Sequence, residues 1–203
     1  MTKKLVLVSL VVGLFLSVAI YSSFALFSAR STGSGGSFTV GTLDLSVADA
    51  AGGSSEKFVI DNIGVDPNPK GSKIWLIKNT GTLPGKLTLS TGLFANNENG
   101  CNSQEALVDT TCGNPGVGEG ELGNVIQVRI SVDDKEVVPW TKAFTSKEAL
   151  SQAWSKIPPI VLAGGSQSKL TLDWQINEAD YGNEIQSDSL EFSINFNIQQ
   201  VPG

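Results

Sequence analysis

Histidine is absent from the 203 residues, and with it go His-based general acid/base catalysis, Ser-His-Asp triads and the HExxH zinc site. Positive charge is also scarce: 14 Lys and Arg stand against 20 Asp and Glu, a formal net charge of −6. An acidic chain matches the phosphate backbone poorly, so nucleic-acid binding is set aside. Aromatics make up only 7% of the chain and there are two cysteines. A phosphate loop is missing too. Gly81-Thr82-Leu83-Pro84-Gly85-Lys86 is one residue short, continues into Leu87 rather than Ser or Thr, and opens no helix, so it reads as a turn.

Glycine is plentiful at 22 residues, and apolar residues mostly alternate with polar ones. That favours an all-β domain. The one long apolar run lies at the start. Met1 to Ala25 opens with Lys3 and Lys4, continues apolar from Leu5 to Ile20, and ends Tyr21-Ser22-Ser23-Phe24-Ala25 with small residues where a signal peptidase reads. This predicts a secretory signal cut between Ala25 and Leu26. The alternative is an uncleaved anchor, since Leu5 to Phe27 is long enough for a bilayer of ~30 Å. Cleavage leaves 12 basic against 20 acidic residues, a net charge of −8. The expected organisation is a signal peptide over 1–25, an N-terminal segment and linker over 26–37, and one domain over 38–203.

The remaining pattern is organised around Leu26 to Val47. Leu26 and Phe27 are joined through Ser31 to Ser37, seven small or turn-forming residues, to a strand carrying Phe38, Val40, Leu43, Leu45 and Val47. The apolar residues change phase at Gly41, the natural place for a bulge. The segment ahead of that strand is tethered by a linker whose root-mean-square reach is roughly 15 Å and whose extended reach is about 23 Å. It is therefore expected to pair with another molecule, with Leu26, Phe27, Ser28, Ala29 and Arg30 as donor segment and Gly33, Gly35 and Gly36 as hinge.

Further strands are expected over Glu56 to Ile60, Lys73 to Asn79 (its run Ile74 to Ile77 covered on both faces), Lys86 to Thr91, Asn124 to Val132, Lys135 to Pro139, Ile160 to Ala163 and Lys169 to Ile176. The last strand alternates strictly through Leu190, Phe192, Ile194, Phe196 and Ile198. Asp133-Asp134 marks a hairpin turn. Thr145 with Glu148 forms a capping box for one helix through Leu150, Ala153, Trp154 and Ile157, stopped by Pro158-Pro159. Gly92 to Gly123 reads as a long loop, stapled by a disulfide between Cys101 and Cys112 that contributes about 3 kcal/mol. The fold class is all-β, a two-sheet sandwich of jelly-roll type with about eight or nine strands and one short inserted helix.

Two acidic clusters suit oxygen-loving cations: Asp133, Asp134 and Glu136, and the run Asn177 to Asp188, where Asp180, Glu184 and Asp188 are the calcium candidates. Neither has EF-hand spacing, and solvated turns are commonly acidic. Of Trp75, Trp140, Trp154 and Trp174, three fall in apolar patterns and read as core rather than a sugar platform. No catalytic residue, resident metal or cofactor is assigned.

Three stretches resemble the TasA/camelysin family of exported surface and biofilm-matrix proteins, which are processed by a dedicated signal peptidase. They are the leader followed by Ser37-Phe38-Thr39-Val40-Gly41-Thr42-Leu43-Asp44-Leu45-Ser46, the strand and turn Ile77-Lys78-Asn79-Thr80-Gly81-Thr82-Leu83, and Tyr181 to Leu190 running into a final strand that ends near Gln199. The resemblance implies a jelly-roll subunit of extracellular fibres, similar also to archaeal bundling pili, in which an N-terminal strand of one subunit completes the sheet of the next. Two departures are the turn Asp66 to Gly71 and the Cys101 to Cys112 loop.

The expected function is thus a secreted structural subunit, not an enzyme, at the cell surface or in the matrix. Its partner is itself, head to tail with lateral bundling, with no membrane contact after signal cleavage. The alternatives are a camelysin-like surface metalloprotease, for which only carboxylates would be left to hold zinc, and a monomeric surface-binding module.

Overall fold

The computed structural model describes residues 28–30, 42–49, 57–61, 63 and 68–201. The strands are β1 (Ser28–Arg30), β2 (Leu45–Asp49), β3 (Lys57–Ile60), β4 (Lys70–Asn79), β5 (Gly85–Glu98), β6 (Gly116–Val117), β7 (Gln127–Val132), β8 (Lys135–Thr141), β9 (Ile160–Leu162), β10 (Gln167–Gln175) and β11 (Ser189–Gln200). Among the described residues two α-helices interrupt them, α1 (Leu122–Val125) and α2 (Lys147–Ser155).

All the pairings are antiparallel and fall into two sheets. In one, β11 lies between β5 and β3, and β9 pairs with the far side of β5. In the other the order is β2-β4-β10-β7-β8. Removing β1, β2 and β6 leaves two four-stranded rows, β3-β11-β5-β9 and β4-β10-β7-β8, between which successive strands alternate except at the β7–β8 hairpin, in the manner of an eight-stranded jelly roll.

Period-two patterning explains the core. Leu190, Phe192, Ile194, Phe196 and Ile198 are at most 2% exposed, while the residues between them are only half-buried. From the opposite sheet, Leu170 and Leu172 on β10 and Trp75 and Ile77 on β4 are buried. Trp75 meets Phe196 across the sandwich with ring centroids 6.3 Å apart. Ile74 and Leu76 are only half-buried, so β4 has one covered face rather than two.

Other expectations shift in extent. The strand expected over Lys86 to Thr91 runs on to Glu98, into what reads as loop. Its partner register passes from Phe192 opposite Phe94 to Ile194 opposite Thr91, so β5 carries one extra residue at Gly92-Leu93. That bulge flips the phase and hides the alternation. A Cβ on Gly92 would come within 2.5 Å of Ser193 Oγ, which accepts a hydrogen bond from Leu93 N at 2.8 Å.

The N-cap of α2 is Ser146 rather than Thr145, with its Oγ accepting from Ala149 N at 3.1 Å. The hairpin turn lies where expected, with Asp133 and Asp134 at φ 49° and 65°, the left-handed pair of a tight turn. The phase-change site Gly41 and the strand start Phe38 to Val40 lie outside the described residues.

Candidate functional site

One margin of the sheet is filled in two pieces. On the side of β11 away from β5, β3 pairs with Leu190 to Ser193, and β1 pairs with Asn197 to Gln199 in the register Ser28↔Gln199, Ala29↔Ile198, Arg30↔Asn197. Without β1, the half-strand from Ile194 onward would offer its N–H and C=O groups to any extended segment. Ser28, Ala29 and Arg30, expected to seek another molecule, are thus found in this single chain along its own closing strand. Leu26, Phe27, the hinge Gly33, Gly35 and Gly36, and the cleavage site Ala25-Leu26 lie outside the described residues.

The root of that arm is gripped by a turn. Thr82 N and Leu83 N donate to Thr42 O at 2.7 and 3.2 Å, and Thr80 N donates to Asp44 O at 2.9 Å. Thr80 Oγ1 donates to Asp44 Oδ2 at 2.9 Å. Gly81 is required here, because a Cβ would fall on the Thr42 carbonyl. Asn79, fully buried, shapes the turn from within: its Nδ2 donates to Leu83 O (2.7 Å) and Leu162 O (3.1 Å), and its Oδ1 accepts from Gly81 N (3.0 Å).

This network gives a physical reason for the Asn79-x-Gly81 pattern. Asn79→Ala orphans three backbone groups and is expected to cost about 2–4 kcal/mol. Asn79→Asp should do no better, since its carboxylate would face two carbonyls, and urea midpoints of both variants against the parent check this.

A second constellation lies at the end of β5. Cys101 and Cys112 are bonded to each other with their Cα atoms 5.3 Å apart. Around the excursion they close stand Glu98 (2% exposed), Glu105 and Asp188 (both 0%), with Asp109 and Glu121 partly buried. Glu105 is satisfied by Ser187 N (3.1 Å), Ser187 Oγ (2.5 Å) and Asn102 N (3.2 Å). Asp188 Oδ2 accepts from Glu121 N (2.6 Å) and Leu122 N (2.8 Å), so the residue before β11 caps the start of α1. Glu98 Oε1 accepts from Gly100 N at 2.6 Å. The other oxygens, Glu98 Oε2, Glu121 Oε2 and Asp188 Oδ1, are buried with no donor.

Burial raises all three of these carboxyls above their ordinary range. Asp188 is pushed up to about 7 by burial, against the pull of the Leu122 and Glu121 N–H bonds, and the charges of Glu98 and Glu121 push it further. In Glu98 burial outweighs the Gly100 bond. In Glu121 the charges of Asp109 and Glu98 add to burial. Asp109 alone is held low. Burial works against it, but hydrogen bonds from Thr111 N and Oγ1, each 2.7 Å, prevail.

The expected calcium group does not assemble. Asp180 is paired with Lys142 at 3.0 Å, and Asp188 turns inward to Glu98 and Glu121 instead of joining Asp180 and Glu184. Asp133 is spent on tying the β7–β8 turn to β10, accepting from Lys169 N (2.8 Å) and Ser168 Oγ (2.9 Å). Among the tryptophans, Trp75 and Trp154 are buried, and Trp140 carries the Arg129 guanidinium 5.0 Å from its ring centroid. Glu98 and Glu121 went unnoticed in the sequence because nothing local distinguishes them. The one available sign was the lack of any Lys or Arg between Lys86 and Arg129.

The sequence profile of the camelysin metallo-endopeptidase family matches residues 1–203. The chain belongs to the TasA/camelysin family. No curated protein sequence matches it. Family membership supports an exported protein, in keeping with the apolar run from Leu5 to Ile20. The family's description implies a metal centre, and the residues of this camelysin relative do not suit a zinc one. The chain has no histidine, both thiols are consumed in the disulfide, and the remaining donors are carboxylates, whereas protein zinc is held chiefly by His nitrogen and Cys sulfur.

Proposed function

We propose that the chain is an exported structural subunit that polymerises by lending its N-terminal arm, residues 26–30, to the β11 margin of a neighbouring copy. The observation that carries this reading is the two-piece margin. Three residues of an arm complete the sheet beside β11, and they are joined to the domain only through residues 31–41. Eleven residues can extend to about 36–40 Å, a reach that serves a neighbour as well as the chain's own β11.

The same backbone bonds form whichever copy supplies the arm, so exchange costs little in contacts and becomes a matter of concentration. A closed chain competes through an effective concentration of order mM. Crowding of subunits at a surface therefore favours the open, head-to-tail form, which does not close on itself and grows a filament. The grip of Thr80 to Leu83 on Thr42 and Asp44 supports the reading because it fixes where the arm departs. Leu26 and Phe27 act as apolar anchors, and Gly33, Gly35 and Gly36 as the hinge. The cell surface or extracellular matrix is the site of action, and the role is structural rather than enzymatic.

Size-exclusion chromatography and negative-stain microscopy test this on two proteins, one beginning at Leu26 and one at Ser37. The longer protein is expected to form filaments at high concentration and the shorter to remain monomeric. Filaments from the shorter protein would refute the exchange.

A further inference from the structure

We infer that Glu98, Glu121 and Asp188 form a binding site for one oxygen-preferring divalent cation, calcium foremost, that ties the start of α1, reached by the chain after the Cys101–Cys112 loop, to the ends of β5 and β11. The three residues come from separate elements. Glu98 is the last residue of β5, Glu121 precedes α1, and Asp188 precedes β11. One carboxylate oxygen of each lies within 4.8 Å of the others. Oxygens that share calcium at 2.3–2.6 Å stand at most about 5.2 Å apart, so a single ion reaches all three.

The hydrogen bonding leaves the inward side of the cluster open. Asp188 and Glu98 each have one oxygen tied to backbone N–H, and Glu121 Oε1 lies 3.5 Å from Thr111 Oγ1. The second oxygen of each is buried and meets no donor. Glu98 and Asp188 are 2% and 0% exposed. Buried carboxylates that face one another without a counter-charge must take up protons or hold a cation.

No basic side chain is paired with the cluster among the described residues, and the sequence offers none nearby: Lys and Arg are absent between Lys86 and Arg129 and again after Lys169. Asp109, whose charge acts on both glutamates, adds to the negative field. The donor set is entirely hard oxygen, and water can complete the six to eight ligands that calcium accepts. The site lies outside the β11 margin that receives the arm, so it stands whether or not subunits exchange strands.

Calcium titration of the chelator-stripped mature protein, by calorimetry and by thermal melting, tests the site beside Glu98→Gln and Asp188→Asn. The Asp188→Asn side chain keeps an acceptor oxygen for the Glu121 and Leu122 N–H groups, so that variant should fold. The parent should bind one calcium per chain with Kd about 10⁻⁴–10⁻³ M, as extracellular modules do. Its Tm should rise by about 3–6 °C at tenfold Kd. Each variant should weaken binding at least about tenfold, roughly the loss of one charged ligand, and in chelator should melt no lower than the parent because like charges have been removed. Absence of binding by the folded parent up to about 10 mM, above the weakest such modules, would leave shared protons as the explanation and overturn the assignment. Undiminished binding by both variants would do the same, as would a preference for zinc.

Discussion

Phe192→Ala is expected to destabilise the domain by about 3–5 kcal/mol. Phe192 is fully buried where β11, β3 and α2 meet. Its ring lies 5.1 Å from Phe58 on β3, 5.0 Å from Phe144 ahead of α2, and 6.5 Å from Trp154 within α2, centroid to centroid. It also sits where the β5 bulge begins. Truncation removes the transfer term and leaves a void bounded by three aromatic rings.

For a domain of this size the loss corresponds to a fall in Tm of roughly 6–20 °C. Denaturant unfolding should show a lower midpoint with an unchanged slope. Val161→Ala, at a position 58% exposed on β9, should change stability by less than about 0.5 kcal/mol. A loss below about 1 kcal/mol for Phe192→Ala would mean that β3, α2 and β11 do not converge as described.

Much of the fold was legible because alternation is local. Leu190 to Ile198 and Ile126 to Val132 announce one buried face each, and Asp133-Asp134 announces the turn between paired strands. The sequence was silent where the phase breaks. Gly92 and Leu93 add a residue to β5, so Phe94 to Glu98 no longer continue the pattern begun at Leu87, and the strand reads as loop. Competing caps one residue apart, Thr145 and Ser146, cannot be separated by type alone, because both offer a hydroxyl.

The candidate sites divide along the same line. The disulfide follows from two cysteines in a chain whose sequence reads as exported. The carboxylate triad does not, because Glu98 and Asp188 are brought together only when β5 and β11 pair, with Ser189 opposite Asn97. The role of Asn79 was visible as a motif but not as a mechanism. Only the fold shows it holding the turn that grips Thr42.

The second large effect concerns who supplies β1. In the single chain Ser28 stands opposite Gln199, whose side chain is exposed, so a cysteine at position 199 would not disturb the core. Directly opposed residues of an antiparallel pair have Cα atoms about 4.5–5.5 Å apart, within the range a disulfide spans. The native Cys101–Cys112 bond is elsewhere in the fold and serves as an internal reference.

Oxidising assembled Ser28→Cys/Gln199→Cys protein and running it on a denaturing gel without reductant reports directly which copy the arm belongs to. Exchange between subunits predicts a ladder of covalent multimers that collapses to a single band on reduction, with neither single variant extending beyond a dimer. A double variant that oxidises fully yet migrates as a monomer, with peptide mapping placing the new disulfide between positions 28 and 199 of one chain, would contradict it.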